Sequence, residues 1–209
     1  MDINNIVTKI SGYVTCKSPY YQCRVTMDKR NVYEFNKGVN KCYEEFDSPS
    51  NGISYLISMY KFIDKKMIFP ETSIEVNGES ISLEELSKYA FYVETNTSEL
   101  NRKSVRTLIK QGLQKSKENY TIEQIIEMFQ LSHERLDCPP SKCGNERYRS
   151  LVAIGVAQGK QIFCFPWMSK KMYEYFKGHI SFVEEKLTEL NKIVIMPLSP
   201  LTRETGRQE

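Results

Sequence analysis

Three short apolar runs constrain the fold of this chain more than any other feature. Ala90-Phe91-Tyr92-Val93, Ile162-Phe163-Cys164-Phe165 and Ile193-Val194-Ile195-Met196 are unbroken by polar residues and too short for buried helices. A strand with one wet face alternates apolar and polar positions, whereas one covered on both faces does not. All three therefore read as buried core strands, the second as a parallel one that stops at Pro166. Helical patterns flank them. Gly144 to Gln158 reads as an amphipathic helix with Leu151, Val152, Ile154 and Val156 on its apolar face. Residues 170–191 read as another, through Phe176, Ile180, Val183, Leu187 and Leu190.

The first 46 residues have a different texture. Tyr13-Val14-Thr15-Cys16 and Val32-Tyr33-Glu34-Phe35 alternate in short bursts, which predicts strands of an antiparallel sheet with Asn36-Lys37-Gly38 as a turn. Thr72 to Val76 predicts a further strand, followed by the Asn77-Gly78 turn signal. Ser82 precedes a short helical stretch. Between 97 and 137, Val105, Leu108, Ile109 and Leu113 recur at helical spacing, as do Ile122, Ile125, Ile126 and Phe129. Thr121 and Gln124 stand as a capping box for the second helix. Pro139-Pro140 closes this helical stretch, since neither residue continues a helix.

Asp47-Ser48-Pro49-Ser50-Asn51-Gly52-Ile53-Ser54 lies between a strand pattern and an apolar stretch beginning at Leu56, read as a helix from Leu56 to Phe62. Against the phosphate-binding pattern G-x-x-x-x-G-K-[ST], Gly52 and Ser54 match. Asp47 stands at the first glycine and Ile53 at the lysine. The same residue types make a polar strand-to-helix turn, so the segment alone leaves both readings open.

The chain has 209 residues, suited to one domain or one core carrying a subdomain. A net charge of +3 gives no electrostatic case for nucleic acid. No apolar run approaches the roughly 20 residues that span a bilayer. Met1-Asp2-Ile3-Asn4-Asn5 lacks the regions of a signal peptide, so a cytoplasmic location is expected. Cys16, Cys23, Cys42, Cys138, Cys143 and Cys164 are scattered, which suits reduced thiols. With only His133 and His179 beside them, they form no metal-site spacing, and no metal is expected.

The order of elements resembles the ATPase subunit of ATP-binding-cassette (ABC) transporters over nearly the whole chain. The resemblance implies an α/β fold: a RecA-like P-loop NTPase core, an N-terminal antiparallel β subdomain and an inserted α-helical subdomain. Residues 1–95 would hold the β subdomain and the first part of the core, 96–140 the helical subdomain, and 141–209 the signature helix and the remainder. Most landmarks then lack the chemical group the family uses. Walker A would be Asp47, Gly52, Ile53 and Ser54, without the lysine that neutralises phosphate. The Walker B strand would be Ile162 to Phe165, with Pro166 and Trp167 where the family has its magnesium-binding Asp and catalytic Glu. Neither replacement binds a metal ion or orients water. The switch histidine falls at Pro200, the Q-loop glutamine at or near Thr95, and the D-loop aspartate at Tyr173. Tyr20 and Tyr21 fall where the family presents an aromatic ring to adenine, against an ordinary surface or core reading.

The signature motif is better kept. Lys142-Cys143-Gly144-Asn145-Glu146-Arg147-Tyr148-Arg149 matches it at Gly144, Glu146 and Arg149, with Cys143 for serine and Asn145 for a glycine while tolerating φ > 0. The competing reading is a plain helix N-terminus. In the family, the signature of one cassette faces the Walker A of another. The resemblance thus implies a pseudo-ATPase: no catalytic residue of its own, no cofactor at its own site, and ATP shared at most with a partner. The expected partners are a competent ABC ATPase subunit and a transmembrane permease, with membrane association through them at the cytoplasmic face. The alternative is a free-standing scaffold or regulatory protein that keeps only the fold.

Overall fold

The computed structural model describes residues 2–17, 22–43, 53–60, 73–94, 100 and 102–202; within 10–31 only the backbone pairing is described. The chain opens with strands β1 (Asn5–Lys17), β2 (Gln22–Asn36) and β3 (Gly38–Tyr43), then helix α1 (Ile53–Ser58). Strands β4 (Ser73–Val76) and β5 (Glu79–Ser80), helix α2 (Leu83–Tyr89) and strand β6 (Ala90–Tyr92) follow. Helices α3 (Val105–Lys115), α4 (Ile122–Met128), α5 (His133–Leu136) and α6 (Arg147–Ala157) come next. Strand β7 (Ile162–Cys164), helix α7 (Lys170–Glu189) and strand β8 (Ile193–Leu198) complete the core.

The strands form two sheets. One is antiparallel in the order β2-β1-β4-β5, and its β4–β5 hairpin turns on Asn77 and Gly78, both with positive φ. That is the conformation a two-residue hairpin loop demands. The other sheet is wholly parallel, in the order β3-β8-β7-β6. Residues 38–43 therefore leave the antiparallel sheet to which their alternation had assigned them. They pair with β8 from Gly38↔Ile193 to Tyr43↔Leu198. Alternation marks a strand but not its direction, and the partner lies at the far end of the chain. Asn36-Lys37-Gly38 accordingly links the two sheets rather than closing a hairpin.

Side chains alternate across the parallel sheet, so each of its strands feeds two cores. Phe91, Phe163, Val194 and Met196 face one side, where α3, α4, α6 and α7 bury Ile109, Phe129, Leu151 and Val183 against them. Ala90, Tyr92, Ile162, Cys164, Ile193 and Ile195 face the other, against α1 and the inner side chains of the antiparallel sheet, including Ile6, Phe35 and Val76. Each fully buried aliphatic or aromatic side chain contributes about 1.5–3 kcal/mol. The three apolar runs are thus core strands covered on both faces, as their composition dictates.

Helix α6 differs from its sequence reading. Every residue from Ser150 to Ala157 is buried, so the helix has no wet face. It is clamped between the sheet, where Gly155 meets Phe163 and Phe91, and α3, where Gly112 meets the Ala157 backbone. A helix covered on all sides needs no polar stripe.

Capping is local and legible. The Thr121 hydroxyl accepts from Gln124 N–H at 3.2 Å, and the Gln124 side chain accepts from Thr121 N–H at 2.8 Å. Thr121→Ala is expected to cost about 1 kcal/mol. Urea denaturation should show a lower midpoint with an unchanged slope, since the cap alters stability without changing the surface exposed on unfolding.

Candidate functional site

In a parallel sheet all strands end on one edge, where α/β proteins place their ligands. Here that edge gathers the ends of β6, β7 and β8 with the start of α1. It carries four of the positions singled out in the sequence: Ile53, Ser54, Pro166 and Trp167, with Pro200 following β8. Asp47, Gly52, Thr95, Tyr20 and Tyr21 lie outside the described residues.

Helix α1 starts at Ile53, three residues before the expected Leu56, and its first five residues are all buried. The Ile53 side chain is 0% exposed and belongs to the core shared with Ile57, Ile162 and Ile195. Apolar burial is what draws the helix start inward. Ser54 is equally buried, and its hydroxyl donates to the Ile195 carbonyl of β8 at 3.2 Å. The hydroxyl that matches the closing Ser/Thr of the phosphate-binding pattern is thereby engaged in tying α1 to the sheet.

At the end of β7, Phe165 N–H donates to the Ile195 carbonyl at 2.9 Å and Met168 N–H to the Pro197 carbonyl at 3.1 Å. Pro166 is buried between these two anchors, and Trp167 is half-buried. Beyond β8, Ser199 N–H donates to Met168 at 2.9 Å and Pro200 begins a short 3-10 turn. The proline suits the first position of such a turn because it has no N–H to leave unpaired. Carboxylates and imidazoles are absent from Pro166, Trp167 and Pro200, so these positions offer no general base and no metal ligand. Among the described residues no cluster of metal-ligating side chains exists.

The signature segment sits apart. Cys143 and Tyr148 belong to the core on the helical side of the sheet, and Ile53 to the opposite one. Among the described residues, Ile53 and the Cys143–Tyr148 segment thus pack into different cores. Gly144 to Glu146 form a 3-10 turn leading directly into α6. The left-handed residue is Gly144, at φ 55°, rather than Asn145. Cys143 is 1% exposed, with its thiol directed at the carbonyls of Pro139 and Arg135 at 3.5 and 3.6 Å. Burial pushes this thiol up in pKa, so it is neutral, and it faces inward. Glu146 accepts the Ser132 N–H at 3.0 Å, which caps α5 from outside. The turn's first N–H groups have no intrahelical acceptors, as at any helix start.

Tyr173, at the D-loop position, accepts from Lys41 Nζ of β3 at 3.2 Å. Glu184, one face further along α7, places a carboxylate oxygen 3.7 Å from the same ammonium. The sequence reading missed this triad because β3 and α7 are joined only through the parallel pairing. Burial works against the Lys41 charge, but Tyr173 and Glu184 outweigh it and hold the pKa above the usual lysine value. Burial pushes the Glu184 carboxyl up, more than Lys41 pulls it down. A carboxyl raised on folding binds its proton more tightly in the native state, so its contribution to stability falls as pH rises through the folded pKa. Glu184→Gln removes that fall: its melting temperature should gain on the wild type between pH 4 and pH 7, and a constant difference would contradict this.

No protein-family model matches the chain, and no curated protein sequence does so either. Solved structures do resemble it. A dimeric ATP-binding cassette in a post-hydrolysis state, bound to ADP and Pi, superposes over 93% of this chain and 88% of its own at TM-score 0.53 and 12% identity. A Pyrococcus furiosus protein described as a putative ABC transporter ATP-binding protein covers 93% of this chain and 91% of its own, at TM-score 0.59 and 14% identity. A bacterial Atm1-family ABC exporter with ATP bound covers 94% of this chain, at TM-score 0.52 and 10% identity; this chain spans 35% of that longer one. The α/β fold expected from the sequence is therefore the one present: a RecA-like core with an antiparallel sheet, as in ABC ATPase nucleotide-binding domains.

Proposed function

We propose that this chain is a non-hydrolysing ATP-binding-cassette subunit that pairs with a competent cassette and, through it, with a transmembrane permease. The observation that carries the proposal is Ile53, an aliphatic side chain wholly inside the core at the position where the family needs a phosphate-neutralising lysine. Pro166 and Trp167 at the end of β7 add no carboxylate. Among the described residues of this edge, no lysine or carboxylate at these positions stabilises a transferring phosphoryl group or holds its magnesium ion. Its own nucleotide site is inert, and residues 1–95, 96–140 and 141–209 serve as β subdomain with first core, helical subdomain and remaining core. The separation of the signature turn from α1 across the sheet suits a turn that serves a second cassette. There, the Gly144 and Asn145 N–H groups at the start of the helical segment would face the partner's bound ATP. Among the described residues no helix is long and apolar enough to cross a membrane, so the chain would reach the cytoplasmic membrane face through partners.

Turnover tests this reading. Highly purified protein should hydrolyse no ATP above a no-protein control. Hydrolysis abolished by Ser54→Ala, in a variant that remains folded, would overturn it.

A second reading has one observation in its favour. Glu146 and the Cys143 thiol both make intramolecular hydrogen bonds, so the kept motif has a structural use of its own. A free-standing scaffold predicts that Asn145→Asp, which places a negative charge beside the partner's phosphates without touching those bonds, leaves function in the cell unaltered.

A further inference from the structure

The distal part of the β1–β2 hairpin runs in unbroken register from Gly12↔Met27 to Lys17↔Gln22. Within it, Cys16 stands directly opposite Cys23. Alternation sorts this ribbon into two faces. Val14, Cys16, Cys23 and Val25 share one face, and Thr15, Lys17, Gln22 and Arg24 share the other. A one-residue slip of either strand would carry its polar residues onto the apolar face, so side-chain pattern and backbone register agree.

Directly opposed residues of an antiparallel pair have Cα atoms about 4.5 or 5.5 Å apart, according to their place in the hydrogen-bond ladder. A disulfide spans a Cα separation of roughly 4.4–6.8 Å. Either kind of pair meets that requirement. Only six of the 209 residues are cysteine, so chance seldom sets two of them opposite each other. Among the described strands no other two are so placed: Cys42 pairs with Pro197, and Cys164 with Ile195 and Tyr92. The linear spacing concealed the pair, since it is the hairpin that sets them face to face. The described pairing of β4 with β1 ends at Lys9↔Ser73, so beyond it β1 and β2 form a two-stranded ribbon among the described residues. Such a ribbon is marginal by itself in water. A covalent tie across it fixes a pairing otherwise set by backbone hydrogen bonds.

We infer that Cys16 and Cys23 are a redox-active dithiol that closes reversibly to a cross-strand disulfide by exchange with a low-molecular-weight disulfide of the glutathione type. One cysteine thiolate attacks a sulfur of the small disulfide. That S–S bond breaks, and one small thiolate leaves and takes up the proton the attacking thiol has lost. The second cysteine thiolate then attacks the protein sulfur of the mixed disulfide. The Cys16–Cys23 bond forms, and the second small thiol departs with the second proton. The protein dithiol is thereby oxidised by two electrons, and the small disulfide is reduced to two thiols. Lys17 and Arg24 are the chain neighbours of the two cysteines, and positive charge near a thiol favours its attacking form. With small thiol in excess the exchange runs backwards, so the reduced thiols expected from the sequence and the bridged form are two states of one pair. The inference is independent of the cassette reading, because neither cysteine belongs to a cassette motif.

The test incubates the full chain with oxidised glutathione, traps the remaining thiols with iodoacetamide in urea, and maps the peptides by mass spectrometry. The expected product is a Cys16–Cys23 cross-linked peptide that disappears on treatment with excess reduced glutathione. The double variant Q22C/C23S moves the second thiol by one residue, onto the other face of the ribbon. Its closure with Cys16 should be at least roughly tenfold slower, with circular dichroism checking that the fold is kept. Equal rates would show that nearness along the chain, and not register, closes the bond, and would overturn the proposal. A wild-type chain in which both cysteines end up alkylated or singly glutathionylated, or in which either is bridged to a different cysteine, would overturn it as well. The wild-type map needs no substitution, so the test stands even where the variant fails to fold.

Discussion

Lysine at position 53 destabilises this protein and restores no hydrolysis. Ile53 is fully buried at the start of α1, among Ile57, Ile162 and Ile195. An ammonium there has no carboxylate beside it among the described residues of that core and must either stay neutral, with a strongly depressed pKa, or distort α1 to reach water. Leaving a buried charge unpaired costs about 3–5 kcal/mol. For a chain of this size that corresponds to roughly 10 °C in melting temperature. Differential scanning calorimetry of Ile53→Lys should show this loss, and an ATPase assay should stay at background because Pro166 and Trp167 still supply no carboxylate. A variant as stable as wild type would mean that residue 53 has ready access to the loop side of α1. Gain of hydrolysis would mean that the missing lysine alone had silenced the site.

The second large effect is expected at Gly155, deep in α6. A Cβ at this position would stand 2.6 Å from Phe163 Cε1 and 2.9 Å from Phe91 Cγ. Both rings are buried in the core between α6 and the sheet, so neither has an easy direction of escape. Gly155→Val should cost about 3 kcal/mol through overpacking, again near 10 °C in melting temperature. Gly155→Ala should cost less, because a single methyl can be met by a small ring shift. If the clash is with Phe163, then Phe163→Leu in the Gly155→Ala background should recover part of the loss. A double-mutant cycle should give a coupling of about 1 kcal/mol. Additive losses would place the strain against Phe91 or the backbone instead.

These two positions also show what was legible in the sequence. The apolar runs at 90–93, 162–165 and 193–196 announced core strands because residues covered on both faces have no polar partners in the pattern. Thr121 and Gln124 announced their capping box because all its hydrogen bonds are local. The direction of β3 was not legible. Its burial pattern alternates as an antiparallel edge would, and only the pairing with β8 decides the matter. The wet face expected on α6 was lost because its outer side is covered by α3, a helix whose fit depends on Gly112. Gly144 rather than Asn145 takes the left-handed conformation, and either residue tolerates it, so the sequence could not choose.

For the site, sequence and structure contribute different things. Residue identity shows no lysine at 53, no carboxylate at 166 or 167 and no imidazole at 200, the positions where the resemblance would put those groups. What it did not disclose is that the leftover side chains are knit into the core. Ser54 is bonded to Ile195 and the Cys143 thiol to Pro139 and Arg135. The Lys41–Tyr173–Glu184 triad was equally hidden, since its members come from elements joined only by tertiary packing.

The most direct measurement is affinity purification of the tagged chain from gently solubilised native membranes, with mass spectrometry of everything retained. A non-hydrolysing cassette subunit brings down one cassette with an intact phosphate-binding lysine and both Walker B acids, together with a multi-span permease. Recovery of the chain alone from the soluble fraction, with neither partner at any detergent condition, would contradict the transporter reading and leave the free-standing scaffold.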